Sequence, residues 1–200
     1  MPAVRKGEAT SARMVDAMLE LVQSHGYAGT GINTVLAQAG APRGSMYFHF
    51  PQGKEELGEQ AIGKAATQFQ ELIAQVTADA PTPGQLVARV VEALAGLLTG
   101  SDYELGCPVS VVTLEMGAHS DRLRSACAAA YESWIAPVAD YLVALGHSAD
   151  HARDLAETTV STLEGAIILS RAARDTRPLA SAGRVLGPLL DQPPASSIAT

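Results

Sequence analysis

Cysteine, aromatic residues and charge are all scarce in this sequence, and each scarcity closes off a class of protein. The only cysteines among 200 residues are Cys107 and Cys127. Two are too few for a disulfide framework, and neither has neighbours at zinc-ligand spacing, so two free thiols are expected, with no metal and no cofactor. Aromatic residues make up 4% and charged residues 18%, against 47% hydrophobic, the balance of a globular chain rather than a disordered or fibrous one. No uncharged apolar run reaches the roughly eighteen residues that a membrane span needs, so no membrane partner is expected. Residues 1–9 lack the apolar centre of a signal peptide, which makes a cytoplasmic location the expectation. No stretch reads as a strand, and internal repeats are absent.

The net charge of −7 argues at first against nucleic acid as a partner, because DNA affinity comes largely from neutralising phosphates. The distribution reverses that argument. Residues 1–54 carry five basic side chains (Arg5, Lys6, Arg13, Arg43, Lys54) against three acidic ones, whereas the remainder carries nine against eighteen. A mildly basic head on an acidic body suggests two jobs.

The hydrophobic spacing is helical throughout. Thr10 is placed to cap a helix with Met14, Ala17, Met18, Leu21 and Val22 on one face, and Gly26 stops it. Thr30 precedes a short helix carrying Ile32, Val35, Leu36 and Ala39, with Gly40 as a left-handed terminator. Pro42 suits the first turn of a third helix, Arg43 to Phe50. Two short helices joined at Gly40 and Ala41 outline a helix-turn-helix. The second crowds Tyr47, Phe48, His49 and Phe50 into two turns, more rings than a merely structural helix of that length needs.

A long helix is expected from Lys54 to about Thr77, with Leu57, Ala61, Ala65, Phe69, Leu72 and Val76 as its stripe. A breaker-rich turn covers Asp79 to Gly84. Thr82, Pro83 and Gln85 then open a helix buried through Leu86, Val90, Ala93, Leu94 and Leu97. Pro108 opens a short helix, apolar almost all round, that should belong in a core. Ser120 caps a helix bearing Leu123, Cys127, Tyr131, Trp134, Val138, Tyr141, Leu142 and Leu145 on one side, and its Pro137 should kink it by removing a hydrogen bond and crowding the Ser133 carbonyl. Two further helices are expected, from Ser148 to about Arg174 and from Pro178 to Leu190.

The stretch Thr30-Gly31-Ile32-Asn33-Thr34-Val35, then Ala39 through Phe50, then Lys54-Glu55-Glu56-Leu57, resembles the head of the TetR/AcrR transcriptional regulators almost position by position. The body resembles the LmrA/YxaF-type branch through Gly106-Cys107-Pro108, Leu123 to Trp134, Leu163-Glu164-Gly165-Ala166 and Arg171 to Asp175. Pro42 stands where many members have a capping serine, but it is frequent in that branch. The resemblance implies an all-α fold with an N-terminal helix-turn-helix DNA-binding head on a C-terminal helical ligand-binding and dimerisation body. Residues 1–54 would be the DNA-binding domain, 55–191 the effector-binding and dimerisation domain, and 192–200 a disordered tail. It also implies a homodimer on a palindromic double-stranded DNA operator, most simply a repressor, released by a small lipophilic effector.

On that reading Arg43 can reach guanine O6 and N7 in bidentate fashion, Gly44 lets the backbone approach DNA, and Ser45 can donate to phosphate or base. Tyr47 and His49 are implied phosphate anchors, with helix packing as the other reading of His49. Asn33 and Thr34 suit a phosphate at the start of the preceding helix, Lys54 is a further phosphate contact, and Thr30 reads as an N-cap. Phe48 is read as a core or edge residue of the head and Phe50 as core. For the effector the candidate lining is Leu94, Leu98, Cys107, Val111, Trp134, Leu163 and Ile167. Glu115 and Glu164 each interrupt an apolar helix and need a partner, for which Arg171 is one candidate. The last two helices suit a dimeric four-helix bundle.

Cysteine and histidine are present, but nothing positions Cys107 with His119, or Cys127 with His147 or His151, for thiol chemistry, and no carboxylate motif accompanies the His147/His151 pair, so no enzyme is expected. The rival reading is an all-helical interaction module without DNA binding, which leaves the composition of Arg43 to His49 unexplained.

Overall fold

The computed structural model describes residues 6–77 and 82–192. Residues 79–81 of the expected turn at Asp79 to Gly84, and the expected disordered tail apart from Gln192, lie outside the described residues, as do Arg5 and the side chain of Val76. Among the described residues all regular structure is helical: α1 Lys6–Gly29, α2 Ile32–Gln38, α3 Ser45–His49, α4 Lys54–Thr77, α5 Pro83–Gly100, α6 Pro108–Met116, α7 Asp121–Ala144, α8 Ala149–Ala173 and α9 Arg177–Leu190.

The contacts group into two units, one of residues 1–68 with 106–130, the other of 69–105 with 131–200. α4 and α7 each contribute to both. The first unit therefore holds α6 and the start of α7 as well as the helices on the N-terminal side of the expected boundary at residue 54.

In the first unit Met14, Met18, Met46, Phe50, Leu57, Ile62, Val109 and Leu123 form a core with essentially no exposed surface. Its turning point is Gly26, whose φ of 77° interrupts α1. Only glycine adopts that conformation without strain, and a Cβ there would also collide with the Glu115 carboxylate from α6. That carboxylate accepts a 2.7 Å hydrogen bond from the Ala28 amide, which answers what the carboxylate in α6 is for. Thr30 is not the cap of α2: it is buried, and its hydroxyl donates to the Gly26 carbonyl at 2.7 Å, which the kink has deprived of its helix partner. Gly31 takes the N-cap position instead, accepting from the amides of Thr34 and Val35. Thr10 likewise lies inside α1, which starts earlier than the capping pattern indicates.

α6 buries Val109 and Val112 but leaves Leu114 79% exposed, so it is a one-sided helix rather than a fully buried one. In the second unit the buried face of α5 is Val87, Val90, Leu94 and Leu98, against α8 and α9 residues such as Leu155, Leu163, Leu179 and Leu186. Leu97, expected on that face, is exposed because the true stripe runs one residue out of phase with it. Thr82 accepts from the Gln85 amide and caps α5, while Asp191, at the end of α9, accepts from the Gly84 amide at 2.8 Å and places its charge at the positive end of the α5 dipole. Ser148 caps α8, and Arg174 ends it in the left-handed conformation. Arg171, considered as a partner for a glutamate, spends its guanidinium on the carbonyls of Tyr103 and Glu104.

Gly26→Ala should lower the stability of the protein by about 2 kcal/mol or more, since it adds left-handed strain and evicts the carboxylate from the Ala28 amide. Glu115→Gln, which keeps an acceptor, should cost about 1 kcal/mol. Urea denaturation of the two variants checks the order; equal losses would mean that the kink is indifferent to the carboxylate.

Candidate nucleic-acid interface and effector cavity

A helix of five residues cannot hold itself together, because nucleation outweighs the few hydrogen bonds it closes. α3 is held by its neighbours. Met46 and Phe50 are buried to 1% and 0%, and each such side chain contributes about 1.5–3 kcal/mol of burial. The turn ahead of it is also fixed. Gly40 has a φ of 58°, its amide bonds to the Ala37 carbonyl, and the Ala41 amide reaches back to Leu36 at 2.9 Å, the paired hydrogen bonds of a Schellman terminus. Arg13 of α1 donates Nε to the Ala39 carbonyl at 3.0 Å, closing the end of α2 from outside. The helix expected from Arg43 is shorter: Arg43 and Gly44 form a turn, with the Ser45 amide bonded to the Pro42 carbonyl, and α3 begins at Ser45.

What this clamp presents outward is unusual for a protein surface. Arg43 and Gly44 are exposed, Tyr47 is 67% exposed and Phe48 79%. Ser45 and His49 are half-buried, the His49 ring edge-on to Phe48 at 4.9 Å. Asn33 and Thr34 are exposed in the first turn of α2. Phe48 corrects the sequence reading, which set it in the core or at an edge. Period alone could have shown this, since Met46 and Phe50 are four apart and Phe48 falls on the opposite side. Gly44 has an ordinary φ of −69°, and a Cβ added there would meet no other atom of the chain. The fold therefore gives no reason for a glycine at this position.

Lys54 is turned inward. Its ammonium donates to the Tyr27 carbonyl at 2.7 Å and lies 4.2 Å from the centre of the Tyr27 ring, and partial burial lowers its pKa. Tyr27 is itself buried, and desolvation, followed by the charge of Glu55, pushes its phenol up to about 12.

The second unit contains a cavity of about 320 Å³, at the lower end of the size usual for small-molecule sites. Its walls are the end of α4 (Phe69 to Ala74), the start of α5 (Pro83 to Val90), the second half of α7 (Ser133 to Leu142) and the middle of α8 (Thr159 to Leu163). Trp134 stacks edge-on with Phe69 at 4.8 Å and with Tyr131 at 5.5 Å. Of the seven residues expected to line an effector site, Trp134 and Leu163 do line this cavity. Leu94, Leu98 and Ile167 are instead packed in the core of the same unit, and Cys107 and Val111 belong to the first unit. Leu94 and Leu98 lie on the buried face of α5 but further along it than Leu86, Val87 and Val90, which line the cavity, and α4 contributes Phe69 and Ile73, which the sequence reading did not include.

Neither cysteine is in a disulfide; burial pushes the Cys127 thiol up, with the Thr113 hydroxyl acting against it. His147 and His151 lie 5.5 Å apart, and among the described residues no group of three or more potential ligands could hold a metal. No helix among the described residues is long and apolar enough to cross a membrane.

Known proteins match both parts of this arrangement. The family described as bacterial regulatory proteins, tetR family, matches residues 14–61, and the LmrA/YxaF-like transcriptional regulator C-terminal domain matches residues 83–185. An uncharacterized HTH-type transcriptional regulator of Mycobacterium tuberculosis is 36% identical over 183 residues, covering 89% of this chain and 92% of the relative. The chain belongs to the TetR family. The HTH-type transcriptional regulator LmrA of Bacillus subtilis is 30% identical over 84% of this chain and 89% of its own. A regulatory protein TetR from Rhodobacter sphaeroides shares the fold with a TM-score of 0.78 at 28% identity, over 90% of this chain and 97% of that one. This TetR-family member is thus a DNA-binding transcriptional regulator and not an enzyme, which sets aside the interaction module without DNA binding.

A raised phenol pKa means that the folded state favours neutral Tyr27, so its stabilising contribution is complete below the unfolded value of 10.0 and is lost as pH rises towards about 12. Ultraviolet titration should show a late tyrosinate phase that Tyr27→Phe removes; a titration finished by pH 11 in the wild type would contradict the burial argument.

Proposed function

We propose that this regulator is a homodimeric repressor in the cytoplasm. Its head binds a palindromic operator, and a small lipophilic effector entering the cavity of the second unit releases it. The observation that carries the DNA-contact surface is α3. Its two apolar anchors face inward, while Arg43, Tyr47 and Phe48 stand exposed beside a glycine that the fold does not require. Exposed aromatics side by side on one short helix are costly unless a partner covers them.

On this reading Arg43 reads a guanine in the major groove and Gly44 clears the approach of the sugar-phosphate backbone. Ser45, Tyr47, His49, Asn33 and Thr34 donate to phosphates, and Phe48 packs on a thymine methyl. Lys54 keeps donors for a phosphate while its other contacts tie α4 to the end of α1. α4 is one continuous helix from Lys54 to the cavity wall at Phe69 to Ala74, so what alters its grip near the cavity is carried along the helix. A coupling of about 1–3 kcal/mol would change operator affinity 5- to 150-fold. Exposed Ile168 and Leu169 on α8 and Val185 on α9, with Gly165 open to approach, favour these helices as the dimer face.

The test is binding to DNA upstream of the protein's own reading frame, followed by gel shift across a salt series. Arg43→Ala should lose about 1–3 kcal/mol on the operator and little on random DNA. Gly44→Ala should leave thermal stability unchanged or slightly higher, yet weaken operator binding, because the fold does not need that glycine. Replacing operator thymine by deoxyuridine should weaken wild type but not Phe48→Ala. Uniform loss on every DNA for all three variants would reject the contact assignment.

Leu169→Glu should convert a dimer to monomer in light scattering without unfolding it; a monomeric wild type would end the homodimer reading.

A further inference from the structure

Pro137 has no amide hydrogen, so it cannot give the Ser133 carbonyl, one turn earlier in α7, the backbone hydrogen bond that this position of a helix ordinarily supplies. A donor arrives from another helix: Gln70 of α4 gives its Nε2 hydrogen to that oxygen at 3.0 Å. One residue along in each helix, Phe69 meets Trp134. α4 and α7 are thus joined by a polar and an apolar contact side by side, and all four residues, with Pro137, lie in the cavity wall. The surrounding lining is mainly aliphatic; its other hydroxyl-bearing side chains are Thr159, whose hydroxyl is already given to the Leu155 carbonyl at 2.8 Å, and Tyr141.

We infer that the Ser133 carbonyl is a polar recognition point of the cavity, held by Gln70 until a ligand bearing a hydrogen-bond donor takes its place. The inference rests on the effector-cavity reading above and adds to it the chemistry of the effector: an uncharged lipophilic molecule with one O–H or N–H group, such as a phenol. A ligand with acceptors only faces the carbonyl oxygen without a hydrogen bond, and a carboxylate would be repelled by it. Gln70 is an exposed, flexible side chain whose bond exchanges readily with a competing donor. Its displacement removes the polar half of the α4–α7 joint, which makes Gln70 a positioning residue for the response.

The probes are para-hexylphenol and para-hexylanisole, which differ by masking of the one donor, and the readout is emission from Trp134, the sole tryptophan of the chain. Wild type should bind the phenol about 5- to 10-fold more tightly than the ether. In Pro137→Ala, which restores a backbone donor to the Ser133 carbonyl, that preference should disappear while ether binding is kept. Gln70→Met, which removes the competitor, should tighten phenol binding and leave the ether unchanged. Equal affinity for the two probes in wild type, or a preference that survives Pro137→Ala, overturns the inference while the cavity remains a binding site. If neither probe binds, the effector-cavity reading falls and this inference falls with it.

Discussion

The first unit depends on one break in one helix. Gly26 turns the chain out of α1, and the polar groups that the break exposes are each taken by a different part of the fold: Thr30, leading into α2, takes the Gly26 carbonyl, Lys54 of α4 takes that of Tyr27, and Glu115 of α6 takes the Ala28 amide. Backbone groups shielded from water must be paired, as the half-buried carbonyls of Gly26 and Tyr27 are, so a turn at this place restricts where α2 and α4 can lie, and the Ala28 amide adds a tie to α6. The exposed face of α3 is a downstream consequence. With α2 ended by its Schellman turn and Met46 and Phe50 pulled into the core, Arg43, Tyr47 and Phe48 have only the outside left to them.

A second missing bond organises the wall of the cavity. Proline in mid-helix is usually discussed as a cause of bending, but it also leaves behind an oxygen that its own nitrogen cannot serve. Because Gln70 rather than a backbone amide meets that oxygen, α4 is attached to α7 through a side chain that can let go. The two devices differ in kind. The groups at Gly26 are held together by three separate elements and specify one arrangement, whereas the bond at Ser133 is a single one from an exposed side chain and allows more than one.

Much of this was legible from spacing alone. The apolar stripe of α1, the start of α4 at Lys54, the cap at Thr82, the start of α8 beside Ser148 and the left-handed Gly40 all follow from local rules, and all are present. Local rules failed where a side chain answers to something distant in sequence. Thr30 has the chemistry of a cap and the position of one, yet its hydroxyl serves a carbonyl that only the kink exposes. Glu115 was recognisable as a group in need of a partner and Arg171 as a candidate to supply one, but both bond to backbone atoms, 87 and 67 to 68 residues away.

The sequence by itself determined the helices, their order, the basic head on an acidic body and the residues of the helix-turn-helix, because periodicity, caps and charge act within a few residues of chain. Tertiary structure decided which faces are left over. Phe48 is outside because Met46 and Phe50 are inside, and the cavity is walled by Phe69 and Pro137 rather than Leu94 and Leu98 because close packing fills the latter turns of α5 with α8 and α9. Exposure and enclosure are properties of what packs against a residue, and that is settled only when distant segments meet.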